Sequence, residues 1–414
     1  MDGEAIMAGI DMDSPKVVIG LGFGDEGKGM TVAFLAERLV QAGRHPLVVR
    51  FNGAGQAAHN VRIHGMHHTF SQFGSGTLSG ASTLLSDHML VSPFALMSEA
   101  ASLMDLGLHP LSSLMIDRHA PLLLPVHAQV NQELERQRGA ARHGSVGIGV
   151  GIARAYEEDM NDAGMSGVVP RVDDLSNPFA LARKISEMAK WLASRFHVDI
   201  LLPPSEVERL ATSLHTVFDD MTAAGTKITA TGNVLYDHRD EPDAIIFEGS
   251  QGVMLDLRYG YFPNVTYGWM LPDDVFDMCR DAELGRPMVI GCTRTYSTRH
   301  GNGAFYPEHT ADIPEPDNAT GAWQGAFRTG LLDMGTLEYA ADLLLPAALA
   351  VSCFDRYPGK AIVGYHDDNG NTGAPIIERM SLDDAVKGIR ESCGGAPVLI
   401  EGHGMDISDW RINE

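Results

Sequence analysis

The chain has 414 residues with 31 Lys and Arg against 54 Asp and Glu, a formal charge of −23, and 44% of its residues are apolar. That length and apolar share can build a sizeable core in one large or two ordinary domains, so disorder is not the default reading. A surface this acidic repels the phosphates of nucleic acids and anionic lipids, and the clearest basic cluster, Arg136 to Arg142, is short, so neither nucleic acid nor membrane is expected as a partner.

In chain order, the first 16 residues read as a flexible extension ahead of a single domain that takes the rest of the chain. They hold three Asp and one Glu but no basic run leading into an apolar stretch, so no signal peptide is expected. Short apolar runs follow at Val17–Gly20, Leu47–Phe51, Leu84–Leu85, Leu114–Ile116, Ala244–Phe247, Met288–Gly291, Leu349–Cys353 and Val398–Ile400. They are too continuous for strands with one wet face and predict buried parallel strands. Between them, helical patterns run over Met30–Ala42, Phe94–Leu106, Phe179–Phe196, Val207–Ala224 and Leu332–Leu344. The alternation predicts an α/β fold with a mainly parallel central sheet flanked by helices. No window of about 18 apolar residues exists to span a bilayer. Cys279, Cys292, Cys353 and Cys393 lie far apart without a CxxC pair, which argues against a disulfide framework or a zinc site. A cytoplasmic protein is expected.

The first strand runs into Gly20-Leu-Gly-Phe-Gly-Asp-Glu-Gly-Lys-Gly29 and then a helix. Gly22-x-Gly24-x-x-Gly27 fits a dinucleotide fingerprint; Gly22-x4-Gly27-Lys28 fits a P-loop in which Gly29 replaces the usual Ser or Thr. In both, glycines let backbone N–H groups approach phosphate at the positive end of a helix. The second strand ends Arg50-Phe51-Asn52, without the acid that holds a dinucleotide ribose, and Lys28 has a use only at a phosphoryl group, so the P-loop reading is preferred. With the hydroxyl missing, Asp25 is the candidate ligand for Mg²⁺.

Gly24-Asp-Glu-Gly-Lys-Gly29 and Asn52-Gly-Ala-Gly-Gln-Ala-Ala-His59, with Phe247-Glu-Gly-Ser-Gln-Gly-Val-Met-Leu-Asp256, Tyr261-Phe-Pro-Asn-Val-Thr266, Tyr296-Ser-Thr-Arg-His-Gly-Asn-Gly303 and Arg328-Thr-Gly-Leu-Leu-Asp333, resemble the adenylosuccinate synthetase family and cover most of the chain in order. The resemblance implies a ligase that uses a nucleoside triphosphate (ATP or GTP) and Mg²⁺ to join L-aspartate to C6 of a purine nucleotide. Oxygen is a poor leaving group at C6, so O6 is first phosphorylated and the phosphate then displaced by the amine.

By the same resemblance, Asp25 takes the N1 proton and, with Ala58, holds the metal. Lys28 neutralises the transferred phosphoryl group, His59 stabilises it as a hydrogen-bonding acid, and Gln251 orients the base edge. Gly24, Glu26, Gly27, Lys28, Gly29, Met30, Ala58, His59, Asn60, Asp355 and Gly402 are expected at the triphosphate. Asp25, Gln56, Gln251 and Thr266, with Ser145 or Val146 of Gly144-Ser-Val-Gly-Ile-Gly149, are expected at the monophosphate. Thr320, Gly321 and Arg328 are expected at aspartate. From the residues alone, Gln251 also reads as a helix cap, and Asp256 and Arg299 read equally as ion pairs or site contacts. A homodimer is implied by the resemblance. Asp25→Ala and His59→Ala are each expected to abolish turnover with little change in melting temperature.

Two departures stand out. The family's Arg-rich loop reads here Asn318-Ala-Thr-Gly-Ala-Trp-Gln-Gly-Ala-Phe-Arg328, with one arginine, and its guanine-reading Lys-x-Asp reads Cys353-Phe-Asp355. With His68-Thr-Phe-Ser-Gln-Phe-Gly-Ser-Gly76, these features are similar to the phage-associated branch of the superfamily, which makes N6-succino-2-amino-2′-deoxyadenylate from dGMP, aspartate and ATP. A lost ribose-contacting arginine is what a substrate without a 2′-hydroxyl allows. IMP with GTP is the alternative, and the intact Asp25 counts toward it, because some members of that branch carry a smaller residue there.

Overall fold

The computed structural model describes residues 10–11, 13–139, 143–200, 202–237, 242–315, 318, 323, 325–368 and 371–413. Its frame is a ten-stranded sheet in the order Trp410–Ile412, Val398–Gly402, Ala348–Ser352, Met288–Arg294, β1 (Lys16–Gly20), Ala244–Gly252, β2 (Pro46–Arg50), Ser82–Leu85, Leu114–Asp117, Lys227–Thr229. All pairs are parallel except the last edge, where Trp410–Ile412 runs against Val398–Gly402. The eight strands expected from the apolar runs all lie in this sheet. Most of the expected extension falls outside the described residues, and β1 itself begins at Lys16.

Apolar residues alternate between the two faces of the central strands. Val18 and Val48 join a core cluster on one side, and Val17, Ile19 and Val49 join the cluster on the other. With both faces covered, strands such as β1 and β2 are buried at every position, which is why they read as continuous apolar runs. Helix α1 (Lys28–Gln41) packs under the sheet with ten of its residues buried. The helix expected at Leu332–Leu344 starts later, at Met334. Asp333 caps it, accepting from Gly335 N at 3.0 Å and Thr336 N at 3.3 Å, and Leu331 and Leu332 belong to a strand.

Two further sheets were not anticipated. A four-stranded one is ordered Tyr296–His300, Phe327–Asp333, Lys360–Asp368, Asn371–Arg379. A hairpin pairs β3 (His59–Ile63) with β4 (Met66–Phe70). Its turn, His64-Gly65, has both residues at positive φ (51° and 81°), the backbone that joins two strands through a two-residue loop. None of the described helices is long and apolar enough to cross a membrane.

Candidate functional site

The carboxyl ends of the parallel strands open into a cavity of about 800 Å³, the place where ligands bind in such sheets. Its floor is the loop between β1 and α1. Thr31 N–H donates to Gly27 O at 2.9 Å as the first helical bond, so the donors ahead of it, at the positive end of α1, face the cavity. The two loop acids have different surroundings. Glu26 is 5% exposed and turned inward. Its Oε1 accepts from Gly22 N at 2.6 Å and Gly24 N at 3.1 Å, and its Oε2 lies 3.2 Å from Lys28 Nζ. Expected at the triphosphate, Glu26 thus also acts as a strut beneath the loop; a Cβ on Gly20 would lie 1.9 Å from Glu26 Oε2, so any larger residue there displaces the strut. Asp25, at φ 57°, lines the cavity, and its carboxylate accepts no hydrogen bond from the described residues.

His59 opens β3 and is 8% exposed. Its Nδ1 lies 2.5 Å from Glu248 Oε1, and its Nε2 lies 3.3 Å from Ser250 O. Glu248 is fully buried and stands in register with Arg50 of β2 and Val18 of β1. Ser75 gives it a backbone N–H at 2.9 Å and its hydroxyl. Burial by itself would raise the Glu248 carboxyl, but the Arg50 guanidinium, His59 and Ser75 outweigh it and hold the group down at about 2. An ionised carboxylate can only accept, so His59 Nδ1 donates. Burial pushes the imidazole pKa down against the pull of Glu248, while Nε2 stands 3.3 Å from the Ser250 carbonyl, which can only accept. This histidine also explains the missing P-loop hydroxyl. A Cβ on Gly29 would lie 2.7 Å from His59 Cβ, so the start of β3 at His59 occupies the room that a Ser or Thr at that position needs.

Of the expected residues, Asp25, Glu26, Gly27, Lys28, Gly29, Met30, Gln56, Ala58, His59, Asn60, Ser145, Val146, Gln251 and Thr266 all line this one cavity. Gln56, on the cavity wall, has both carboxamide atoms buried without a hydrogen-bond partner among the described residues. Gln251 Oε1 reaches over the loop, 2.6 Å from where a Cβ on Gly24 would sit, so it packs on the P-loop and does not merely cap a helix. Four expected residues stand off the cavity wall. Gly24 lies behind Gln251. Gly402 is covered by Trp410. Asp355 is 41% exposed and lies 3.8 Å from Arg356 Nε. Arg328 is turned onto Glu308 Oε2 at 2.7 Å and the carbonyls of Gly301 and Gly303 at 2.6 and 3.1 Å. Thr320 and Gly321 lie outside the described residues.

Sequence reasoning missed Arg294, Glu315, Cys353, Arg356 and Trp410, which line the cavity. Arg299, for which the residues alone allowed either role, lines it as well, with Nη1 and Nη2 on the carbonyls of Ala304 and Asn264. Asp256 is buried and caps its own turn, accepting from Arg258, Tyr259 and Met270 N–H, a structural role. The wall carries Lys28, Arg62, Arg138, Arg195, Arg294, Arg299 and Arg356 against Asp25, Glu26, Glu135 and Glu315, so cations outnumber acids here although the chain is strongly acidic. No three His, Cys, Asp or Glu among the described residues cluster as a metal cage. Mg²⁺ takes few protein ligands and keeps water and phosphate oxygens, so the Asp25 carboxylate, unbonded among the described residues, and the exposed Ala58 on the same cavity wall fit that ion.

A family model described as adenylosuccinate synthetase matches residues 17–385. The chain belongs to the adenylosuccinate synthetase family. It is a ligase that forms carbon–nitrogen bonds, as family membership indicates. Adenylosuccinate synthetase of Proteus mirabilis is 29% identical over 398 residues, covering 93% of this chain and 88% of the relative. That of Pseudoalteromonas atlantica is 31% identical over 382 residues, 89% and 83% of the two chains. Among solved structures, the fully ligated adenylosuccinate synthetase of Plasmodium falciparum superposes with a TM-score of 0.79 at 17% identity, covering 97% of this chain and 100% of that one. The succinoaminodeoxyadenylate synthetase (PurZ) of cyanophage S-2L, bound to dGMP and dATP, superposes with a TM-score of 0.63, also at 17% identity, covering 97% and 96%. These likenesses share the fold.

Proposed function

We propose that the protein joins L-aspartate to C6 of dGMP with consumption of ATP, giving N6-succino-2-amino-2′-deoxyadenylate. The observation that carries the choice of nucleotide is the position of Arg328. It is the sole arginine left in the segment from Asn318 to Arg328, and it is engaged by Glu308 and two carbonyls away from the cavity. A ribose 2′-hydroxyl therefore meets no guanidinium from Arg328, and a deoxyribose needs none. Arg328 reaches an aspartate carboxylate only by exchanging it for Glu308. The second reading, IMP with GTP, is favoured by the sequence relatives, which are adenylosuccinate synthetases.

The wall residues divide the work as follows. Asp25, whose carboxylate accepts no hydrogen bond from the described residues, removes the N1 proton of the base and makes O6 nucleophilic. Lys28 and the N-terminus of α1 hold the transferred phosphoryl group. Glu248 fixes the His59 ring through Nδ1, and the incoming phosphoryl charge draws the imidazole pKa up, so that a protonated Nε2 exchanges the Ser250 carbonyl for that group and donates to it. Gln251 faces the base edge, and Gln56, Thr266 and Ser145 or Val146 face the 5′-phosphate. Mg²⁺, when bound by Asp25 and Ala58, supplies charge neutralisation at the phosphates. A homodimer remains part of this reading, and sedimentation of the purified protein tests it.

The deciding experiment supplies Mg²⁺ and aspartate with dGMP, dIMP, GMP or IMP, each with ATP or GTP, and follows phosphate release and product mass. Fastest turnover with dGMP and ATP is expected. Fastest turnover with IMP and GTP moves the protein to the second reading, and phosphate release that ignores the monophosphate overturns the ligase assignment for this site.

A further inference from the structure

Asp25 carries a side chain at φ 57°, a left-handed backbone uncommon for residues with a Cβ although Asp takes it more readily than most. The group that holds its peptide comes from another strand. Arg294 ends strand Met288–Arg294, and its Nε–H donates to the Asp25 carbonyl. The other edge of the guanidinium is fixed in turn, with Nη1 at 2.7 Å from Glu315 Oε1 and 2.9 Å from Tyr296 Oη. Glu315 is nearly buried (side chain 8% exposed) and is itself tied down. It receives the Tyr296 hydroxyl, Arg356 Nη1 at 3.2 Å and Asn318 Nδ2 at 2.9 Å. Burial alone would lower the Arg294 guanidinium, but Cys353, Tyr296, Glu315 and Asp25 around it reverse that and raise it, so it stays charged.

A planar guanidinium held along two edges has a defined direction, which a lysine ammonium on a flexible stem lacks. We propose that Arg294 is a positioning residue for Asp25, and that Glu315 is the anchor that aims Arg294. The carboxylate that acts on the nucleotide is then oriented from the segment that precedes Arg328, through the Asp25 main chain and not through its side chain. This inference rests on the reading of Asp25 as the acting carboxylate. Its rival is that Arg294, which lines the same cavity, binds a substrate anion directly.

The two roles separate in kinetics and in loop dynamics. Arg294→Lys, Arg294→Ala and Glu315→Gln are made in the full chain. For each, kcat, the KM of all three substrates, the melting temperature and amide hydrogen exchange over residues 22–28 are measured. A positioning role predicts that Arg294→Lys lowers kcat about 100-fold, the effect of a small misplacement of a reacting group. Each KM stays within about threefold. It also predicts faster exchange of the loop amides with the melting temperature held, a smaller kcat loss in Glu315→Gln, and partial recovery of Arg294→Ala by added guanidinium. A raised KM for the triphosphate or aspartate with kcat preserved, or unchanged loop exchange, overturns the proposal. Wild-type protein without turnover would overturn the ligase reading instead, while the exchange measurement still decides whether Arg294 holds the loop. Should Arg294→Lys fail to fold, Glu315→Gln carries the same comparison.

Discussion

A Cβ atom placed on Gly29 would lie 2.7 Å from Cβ of His59. The P-loop hydroxyl and this histidine therefore exclude one another. Gly29→Ser restores the usual motif yet forces β3 away from α1, an overpacking that costs about 1–3 kcal/mol. It also pulls the imidazole off Glu248. We expect Gly29→Ser to melt earlier and to lose about 100-fold in kcat, the lower end of what a positioned proton-transfer group contributes. Wild-type turnover in the serine variant would show that the imidazole and the hydroxyl can share the site.

Glu248 makes stability depend on acid. Its carboxyl titrates at about 2 in the folded chain against an ordinary 4.5. Between these values the unfolded chain binds the extra proton, so stability falls as pH falls. The contribution is complete above about pH 5 and lost by about pH 2, on the order of 3 kcal/mol. Glu248→Gln removes the titrating group. Denaturant unfolding at a series of pH values is expected to show a shallower acid slope in that variant, and parallel slopes would show that Glu248 is not held low.

Substitutions of Asp25 and His59 are expected to separate. Asp25→Ala removes a carboxylate with no hydrogen bond from the described residues, so turnover is abolished with stability changed by less than about 1 kcal/mol. His59→Ala also abolishes turnover. In addition it removes one partner of a fully buried carboxylate, at about 1–3 kcal/mol. The sequence alone suggested little change in melting temperature for both; burial of the Glu248–His59 pair revises that for the histidine. Thermal melts of the two variants side by side test the difference.

The parallel sheet was legible because β1 and β2 are covered on both faces and spell that as unbroken Val, Ile and Leu. The phosphate loop was legible because a backbone that curls its N–H groups around an anion needs positive φ, and Gly24 and Gly27 supply it on either side of the two loop acids. The β3–β4 hairpin was less so, since β3 alternates buried with half-buried residues, β4 is buried only at Phe70, and several of their polar side chains line the cavity. His64-Gly65 was a turn signal that the sequence reading passed over. Glu248 stood inside a recognised motif, but its pairing with Arg50 depends on strand register, which spacing along the chain does not reveal. Arg294 and Glu315 could not be linked from sequence, because their contact exists only once the segment after strand Tyr296–His300 folds back over the loop.

The strand that carries Glu248 and Gln251 lies between β1 and β2 although it follows them by nearly two hundred residues. During synthesis, β1 and β2 therefore leave the ribosome with no partner for their facing edges. At about 5–20 residues per second the gap lasts roughly 10–40 s. Two apolar strands with open edges for that long invite pairing with other chains. The nascent protein is thus most exposed to aggregation before residue 252 emerges, and a chaperone that shields β1 and β2 in that interval will raise the yield of folded enzyme more than one added after release.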